Sequence, residues 1–279
     1  MADILKIPFA NQGAPDLAVS DGESVGFFGE ANSGKSDLLE SVAKLKKGVK
    51  FRELPRISSS DRALFNSEIA YFYGQEISKG KALCEDVISE LSAKILVGSY
   101  EVMDALEIPR CELKRKVKDA SSLTKVKLAF LATLARGAKL IIIDDVFGIR
   151  PAFKKRLSAL LTKVSKECGI SYLIASTDLA FLTALCKRIA VVDGGHLIEV
   201  NTAKSIITAP LHPYTKWLVS AHNMKKEIGT TFIRTEKDSK AKRGCRFAHI
   251  CPYTTEICSQ RAPEFKPNGT GTVGCHKVK

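Results

Sequence analysis

Apolar residues along the first two thirds of the chain switch repeatedly between short continuous runs and a helical spacing. Leu17-Ala18-Val19 and Ser24-Val25-Gly26-Phe27-Phe28 read as strands, the second running into a glycine turn. Ser36 to Ala43 carries apolar residues at helical spacing and ends in the Lys44 to Lys50 region, which holds Gly48. Arg52 to Lys79 is mixed and turn-rich. Leu83 to about Lys118 predicts mainly helices, interrupted at Pro109, and Val126 to Ala135 predicts another helix. The apolar run Leu140-Ile141-Ile142-Ile143 ends in Asp144-Asp145, the pattern of a fully buried parallel strand whose acidic end emerges at a site. The unit then repeats: a helix over Phe153 to Lys166, a strand over Gly169 to Ala175, a helix over Leu179 to Cys186, and strands at Ile189 to Val192 and His196 to Val200. This alternation predicts an α/β domain with a mostly parallel sheet over 1–205, including a helical subdomain at about 80–135. Past Ala209 the chain turns to Pro, Gly, Lys and Cys. A boundary near 205–235 is expected, with 206–279 a small irregular tail.

Gly29-Glu30-Ala31-Asn32-Ser33-Gly34-Lys35-Ser36 matches G-x-x-x-x-G-K-[ST], after a predicted strand and before a predicted helix. Glycines let backbone N–H groups curl around phosphate oxygens, and the helix N-terminus adds positive potential. Lys35 is expected to reach the outer phosphates and the Ser36 hydroxyl to ligate Mg²⁺. Asp144 is the natural second Mg²⁺ contact, through water, and Asp145 stands where a base would orient the attacking water. Either carboxylate also suits a plain strand-end turn.

Composition narrows the setting. The 279 residues are 45% hydrophobic and 26% charged, ordinary globular usage. No apolar run reaches the roughly 18 to 20 residues of a membrane span, and Met1 to Ala10 lacks a signal-peptide pattern. The net charge of +13 suggests an anionic partner, but it is uneven. Residues 1–200 hold 29 basic and 25 acidic side chains, whereas 201–279 hold 14 and 5. Four of the eight cysteines, Cys245, Cys251, Cys258 and Cys275, share the same basic tail. In a reducing compartment such a cluster points to metal before disulfides. Cys84, Cys111, Cys168 and Cys186 read as core thiols, and His249 and His276 as surface or packing residues.

With these motifs the chain resembles the ATPase subunits of ABC transporters. Ala209-Pro210-Leu211-His212-Pro213-Tyr214-Thr215 is similar to the A-P-x-H-P-Y-T segment of oligopeptide, dipeptide and nickel importers, and Gly244-Cys245-Arg246-Phe247, Cys251-Pro252-Tyr253, Cys258 and Cys275-His276 fit the tail that follows it there. The resemblance implies ATP with Mg²⁺ and a seat on the cytoplasmic face of the inner or plasma membrane. It also implies as partners a second ATPase subunit, two membrane permeases and a solute-binding protein.

Several positions depart from that family. The L-S-G-G signature falls on Ala120-Ser121-Ser122-Leu123, so both glycines are absent, and Leu123 is expected to obstruct the γ-phosphate of a nucleotide on the opposite subunit. The usual glutamate after Asp144 is the shorter Asp145, the switch histidine is Thr177, and the expected glutamine is present only as Gln75, one place late. The loop Val146 to Pro151 also differs. Together these predict weak hydrolysis by the chain alone, as the degenerate half of a heterodimeric ATPase pair; a divergent but active subunit is the alternative.

Cys245-x₅-Cys251-x₆-Cys258-x₁₆-Cys275 offers four thiolates from a polar segment that a metal centre would staple. The wide gaps, with the resemblance, favour a four-iron four-sulfur cluster; zinc is the alternative. Two further functions stand beside the importer: a non-hydrolysing, metal-binding regulatory partner, and a nucleic-acid-binding ATPase. The last lacks interleaved aromatic and basic residues, so no nucleic acid is expected.

Overall fold

The computed structural model describes residues 3–7, 9, 11, 13–43, 69–72, 76–77, 81–144, 151–222 and 244–278. Strands β1 (Asp3–Ile7) and β2 (Leu17–Ser20) form an antiparallel pair. The main sheet uses β3 (Ser24–Phe28), β4 (Ile69–Phe72), β5 (Leu140–Asp144), β6 (Ser171–Ser176), β7 (Arg188–Asp193), β8 (His196–Thr202), β9 (Phe265–Asn268) and β10 (Gly271–Gly274), in the order β4-β5-β6-β3-β7-β8-β10-β9. From β4 through β7 every pairing is parallel, and from β7 through β9 every pairing is antiparallel.

Period-two alternation sorts the strand residues between two cores. Ile141, Ile143, Tyr172, Ile174, Ile189 and Val191 enter the core on one face. Leu140, Ile142, Leu173, Ala175, Ala190 and Val192 enter the other, with Val25 and Phe27. Both faces are covered, which is why these strands read as continuous apolar runs. Helix α1 (Lys35–Ala43) buries Leu38, Leu39 and Val42 on the second face. The first face is covered by α2 (Cys84–Lys94), α3 (Ser99–Ala105), α4 (Arg110–Leu113), α5 (Ser122–Leu134) and α6 (Pro151–Cys168), followed by α7 (Leu179–Leu185), α8 (Ala203–Thr208) and α9 (Pro213–His222). In α6, Leu157, Leu160, Leu161 and Val164 form the buried stripe expected at three-and-four spacing, after a proline at the first helical position. No helix among the described residues is long and apolar enough to cross a membrane.

Three expectations are corrected. The turn-rich stretch 52–79 contains β4, whose four residues are too few for periodicity to register. Cys111, read as a core thiol, is exposed, because the short helix α4 buries Glu112 instead. The tail is not irregular throughout: α10 (Glu256–Gln260) and the β9–β10 hairpin give it regular structure, and β10 pairs with β8 to extend the main sheet. Asn268 pairs with Gly271, so Gly269-Thr270 is the two-residue turn of this hairpin, with Gly269 at φ 58°. The tail needs no core of its own, since Phe247 and Val273 are buried in the main domain.

The Ala209 to Thr215 motif has a direct structural reading. Pro213 opens α9, and His212, immediately before it, accepts the Tyr214 N–H at Nδ1 (3.0 Å), acting as the helix cap. The buried Glu199 carboxylate accepts the Leu211 and His212 N–H groups, each at 2.9 Å. Burial raises the Glu199 pKa, opposed by those two N–H groups. Burial, and then Lys216, lower the His212 pKa to about 3 from 6.5. Between those values the unfolded chain takes up a proton that the folded chain refuses, so stability falls as the pH drops through this window. His212→Asn keeps an acceptor at the cap and removes the titration. Urea unfolding from pH 7 to 4 is expected to show an acid slope shallower by up to about 1.4 kcal/mol per pH unit in the variant. Parallel slopes would refute this account.

Candidate nucleotide site and cysteine pocket

The phosphate loop, Asp144 and Thr177 all lie at the carboxyl ends of β3, β5 and β6, the edge where parallel sheets place ligands. The local geometry explains both glycines. A Cβ on Gly29 would strike the Val192 carbonyl and the Ser33 side chain. Gly34 has φ 78°, and its Cβ would lie 2.6 Å from the Gly195 nitrogen. Asn32 also takes a left-handed backbone, φ 62°. The Gly195 N–H donates to the Ser33 carbonyl (3.0 Å), so the β7–β8 turn buttresses the loop from behind.

Lys35 is buried, with its ammonium donating to the Gly29 carbonyl (3.0 Å), the Glu30 carbonyl (2.6 Å) and Ser33 Oγ (3.0 Å). These bonds curl the loop around the charge. A phosphate oxygen would replace one of these acceptors and gain a charge-assisted bond. Ser36 Oγ donates to Asp144 Oδ1 at 2.9 Å, so the two residues expected to serve Mg²⁺ meet across the sheet edge. Tyr71 donates its hydroxyl to Asp144 Oδ2 (3.1 Å), a contact that nothing in the sequence signals. A hydroxyl and a carboxylate at hydrogen-bond distance, beside a phosphate loop, are oxygen donors of the kind Mg²⁺ takes.

Thr177 is exposed just beyond the end of β6, two residues after Ala175, the register partner of Asp144. Asp145 and Gln75 lie outside the described residues, as does the loop 146–150. Ser121 caps α5, accepting the Thr124 N–H at 3.3 Å. Leu123 sits in the first turn of α5 with 55% of its surface exposed, so a bulky apolar side chain projects from the start of that helix.

The four tail cysteines line one cavity of about 310 Å³, together with His212, Phe247, Tyr253 and His276. Cys245 N–H donates to the Cys258 carbonyl (2.7 Å) and Cys251 N–H to the Phe247 carbonyl (2.7 Å), closing the walls. Gly244 is required here, because a Cβ would meet the Cys258 carbonyl at 2.5 Å. Burial, and to a smaller extent the neighbouring thiols, push the Cys245 pKa up to about 11; the Cys251 and Cys275 thiols are also raised, burial leading. Burial would raise Cys258 too, but its bonds with Thr255 and Thr254 hold it below the ordinary thiol value. Among the described residues no three His, Cys, Asp or Glu side chains are arranged to hold a metal ion. The thiols surround a space instead, and soft sulfur donors around a cavity suit a group that fills it. His276 Nε2 lies 3.0 Å from the Arg261 carbonyl.

A cavity of about 710 Å³ between α6 and α7 shares no lining residue with either site. Among the lysines that line it, Lys154 is paired with Asp178, and Lys163 with Glu101.

Residues 198–258 match the family described as the oligopeptide/dipeptide transporter C-terminal region. The oligopeptide transport ATP-binding protein OppD of Escherichia coli (strain K12) is 23% identical, covering 94% of this chain and 89% of that protein. The dipeptide transport ATP-binding protein DppD of Haemophilus influenzae is 24% identical over 97% of this chain and 91% of its own length. The fold is similar to that of cbiO1 from Clostridium perfringens, part of the ABC transporter complex cbiONQ, with TM-score 0.54 and 18% identity over 80% of this chain and 96% of that one. The chain thus has the ABC ATPase fold.

Proposed function

We infer that this chain is an ATP-binding subunit of an ABC importer for peptides or related small solutes, and the catalytically degenerate half of a heterodimeric pair. The observation that carries the reading is the phosphate loop with Lys35 coiled inside it and Ser36 bonded to Asp144 at the sheet edge. The relatives that span nearly the whole chain, and the transporter region matched over 198–258, support the peptide assignment. In this reading the chain sits peripherally on the cytoplasmic face of the membrane. Its companions there are a second ATPase, two permeases and a solute-binding protein.

The degenerate half of the proposal rests on side-chain chemistry. Thr177 offers no imidazole to a γ-phosphate, and Asp145 is one methylene shorter than the base usual in the family. Leu123, exposed at the start of α5, blocks the close backbone approach that glycine would allow. ATP binding therefore outlasts hydrolysis in this subunit. The purified chain is expected to bind ATP-Mg²⁺ while turning it over far more slowly than an ordinary ABC ATPase, and an intact second ATPase subunit is expected to restore turnover. An ordinary rate from the chain alone, abolished by Asp145→Asn, would sink the degenerate assignment and leave a divergent active subunit.

Cys245, Cys251, Cys258 and Cys275 are proposed to hold a four-iron four-sulfur cluster, with zinc the alternative. When bound, the cluster supplies four metal–thiolate bonds that tie the tail together. Lys277, two residues after Cys275 and lining the same cavity, offsets anionic charge there.

A further inference from the structure

Two chains of contacts run from the cysteine pocket to the phosphate loop. Phe247 lies in the turn between Cys245 and Cys251, its carbonyl accepting the Ile250 (3.1 Å) and Cys251 (2.7 Å) N–H groups. Its ring stacks on Tyr214, with centroids 4.5 Å apart and planes 19° from parallel. The Tyr214 hydroxyl donates to Glu30 Oε2 (3.3 Å), on a loop residue whose carbonyl also holds Lys35. Burial, and then the Glu30 carboxylate, raise the Tyr214 pKa, so the phenol stays a donor.

The neighbouring residue supplies the second route. Arg246 Nε lies 3.3 Å from Oδ2 of the fully buried Asp193, and Arg246 Nη1 lies 2.8 Å from His196 Nδ1. Asp193 and His196 flank the Gly194-Gly195 turn, and the guanidinium packs so closely on Gly194 that a Cβ there would collide with it. That turn donates Gly195 N–H to the Ser33 carbonyl. Consecutive residues beside Cys245 thus brace the loop at Glu30 and at Ser33, on either side of the Ala31-Asn32 tip.

We propose that Arg246 and Phe247 are positioning residues for the phosphate loop, acting through Asp193 and Tyr214, so that the arrangement of the four-cysteine pocket sets the affinity for nucleotide. The inference rests on the ATP-binding reading above. It assigns the tail a role in nucleotide binding beyond holding a metal centre. Linkage makes the effect reciprocal: if an ordered pocket strengthens ATP binding, ATP must order the pocket by the same factor.

Two mild variants test it in the full-length chain. Tyr214→Phe keeps the stacked ring and removes the hydroxyl on Glu30; Arg246→Gln removes the charge on Asp193. ATP-Mg²⁺ titration is expected to show affinity weaker by about fivefold or more in each variant, the lower range of measured couplings between sites. The second readout, on full-length chain freed of metal, is the rate at which iodoacetamide labels Cys245 and Cys251, located by peptide mass. ATP is expected to slow labelling in the wild-type chain and to lose that protection in both variants. A purely structural role would lower the melting temperature without removing the protection. Unchanged ATP affinity in both variants, or labelling indifferent to ATP in the wild type, overturns the inference and leaves ATP binding intact. A wild-type chain that bound no ATP would instead bring down the parent reading, and this one with it.

Discussion

Lys35→Ala is expected to weaken ATP-Mg²⁺ binding by at least about thirtyfold, the largest loss of any single substitution in the nucleotide site. Truncating one partner of a buried, hydrogen-bonded charge contact costs about 2 to 5 kcal/mol. Here the loss acts twice. The ammonium that would meet the phosphates disappears, and so do the bonds to Gly29, Glu30 and Ser33 that shape the loop before nucleotide arrives. Gly34→Ala reaches the same end by another path, since its Cβ would press on the Gly195 nitrogen from a left-handed backbone. Titration of full-length protein, with circular dichroism to verify the fold, checks both. Lys35→Ala protein with wild-type affinity would show that the loop does not bind the nucleotide.

The second large effect is on metal content. Anaerobically purified chain is expected to carry about four iron and four sulfide per molecule with a brown chromophore, and Cys251→Ser with Cys275→Ser to remove both. Both thiols line the cavity, so losing two of four ligands leaves too few anchors for a cluster. The tail itself is expected to remain partly attached, because Phe247 is buried in the main core and β10 is bonded to β8. Elemental analysis separates the outcomes. One zinc per wild-type chain and no iron would replace the cluster by the alternative ion; neither metal in protein made under iron- and zinc-replete conditions would remove the metal proposal.

What was legible beforehand follows from how local each signal is. The strand over Leu140 to Ile143, the loop from Gly29 to Ser36 and the helix α6 are encoded in contiguous residues, and each stands where periodicity and turn chemistry put it. β4 and the β9–β10 hairpin are four residues per strand, with Pro267 and three glycines in the hairpin, and their stability comes from neighbours distant in sequence. Cys111 shows the same limit at one side chain. Its helical context is visible in the sequence, whereas the turn of a four-residue helix decides that Glu112 faces inward.

The site divides the same way. Phosphate-binding capacity resides in one short segment, because a backbone nest needs only glycines, a lysine and a helix start in succession. The four cysteines stand out through composition and spacing. Their convergence on one cavity spans the tail, whereas the meeting of Ser36 with Asp144 and the contacts of Arg246 with His196 and Tyr214 with Glu30 join residues 50 to more than 180 positions apart. Contacts of that range depend on strand order and on which face each side chain takes. No local pattern carries them, and folding of the sheet brings them about.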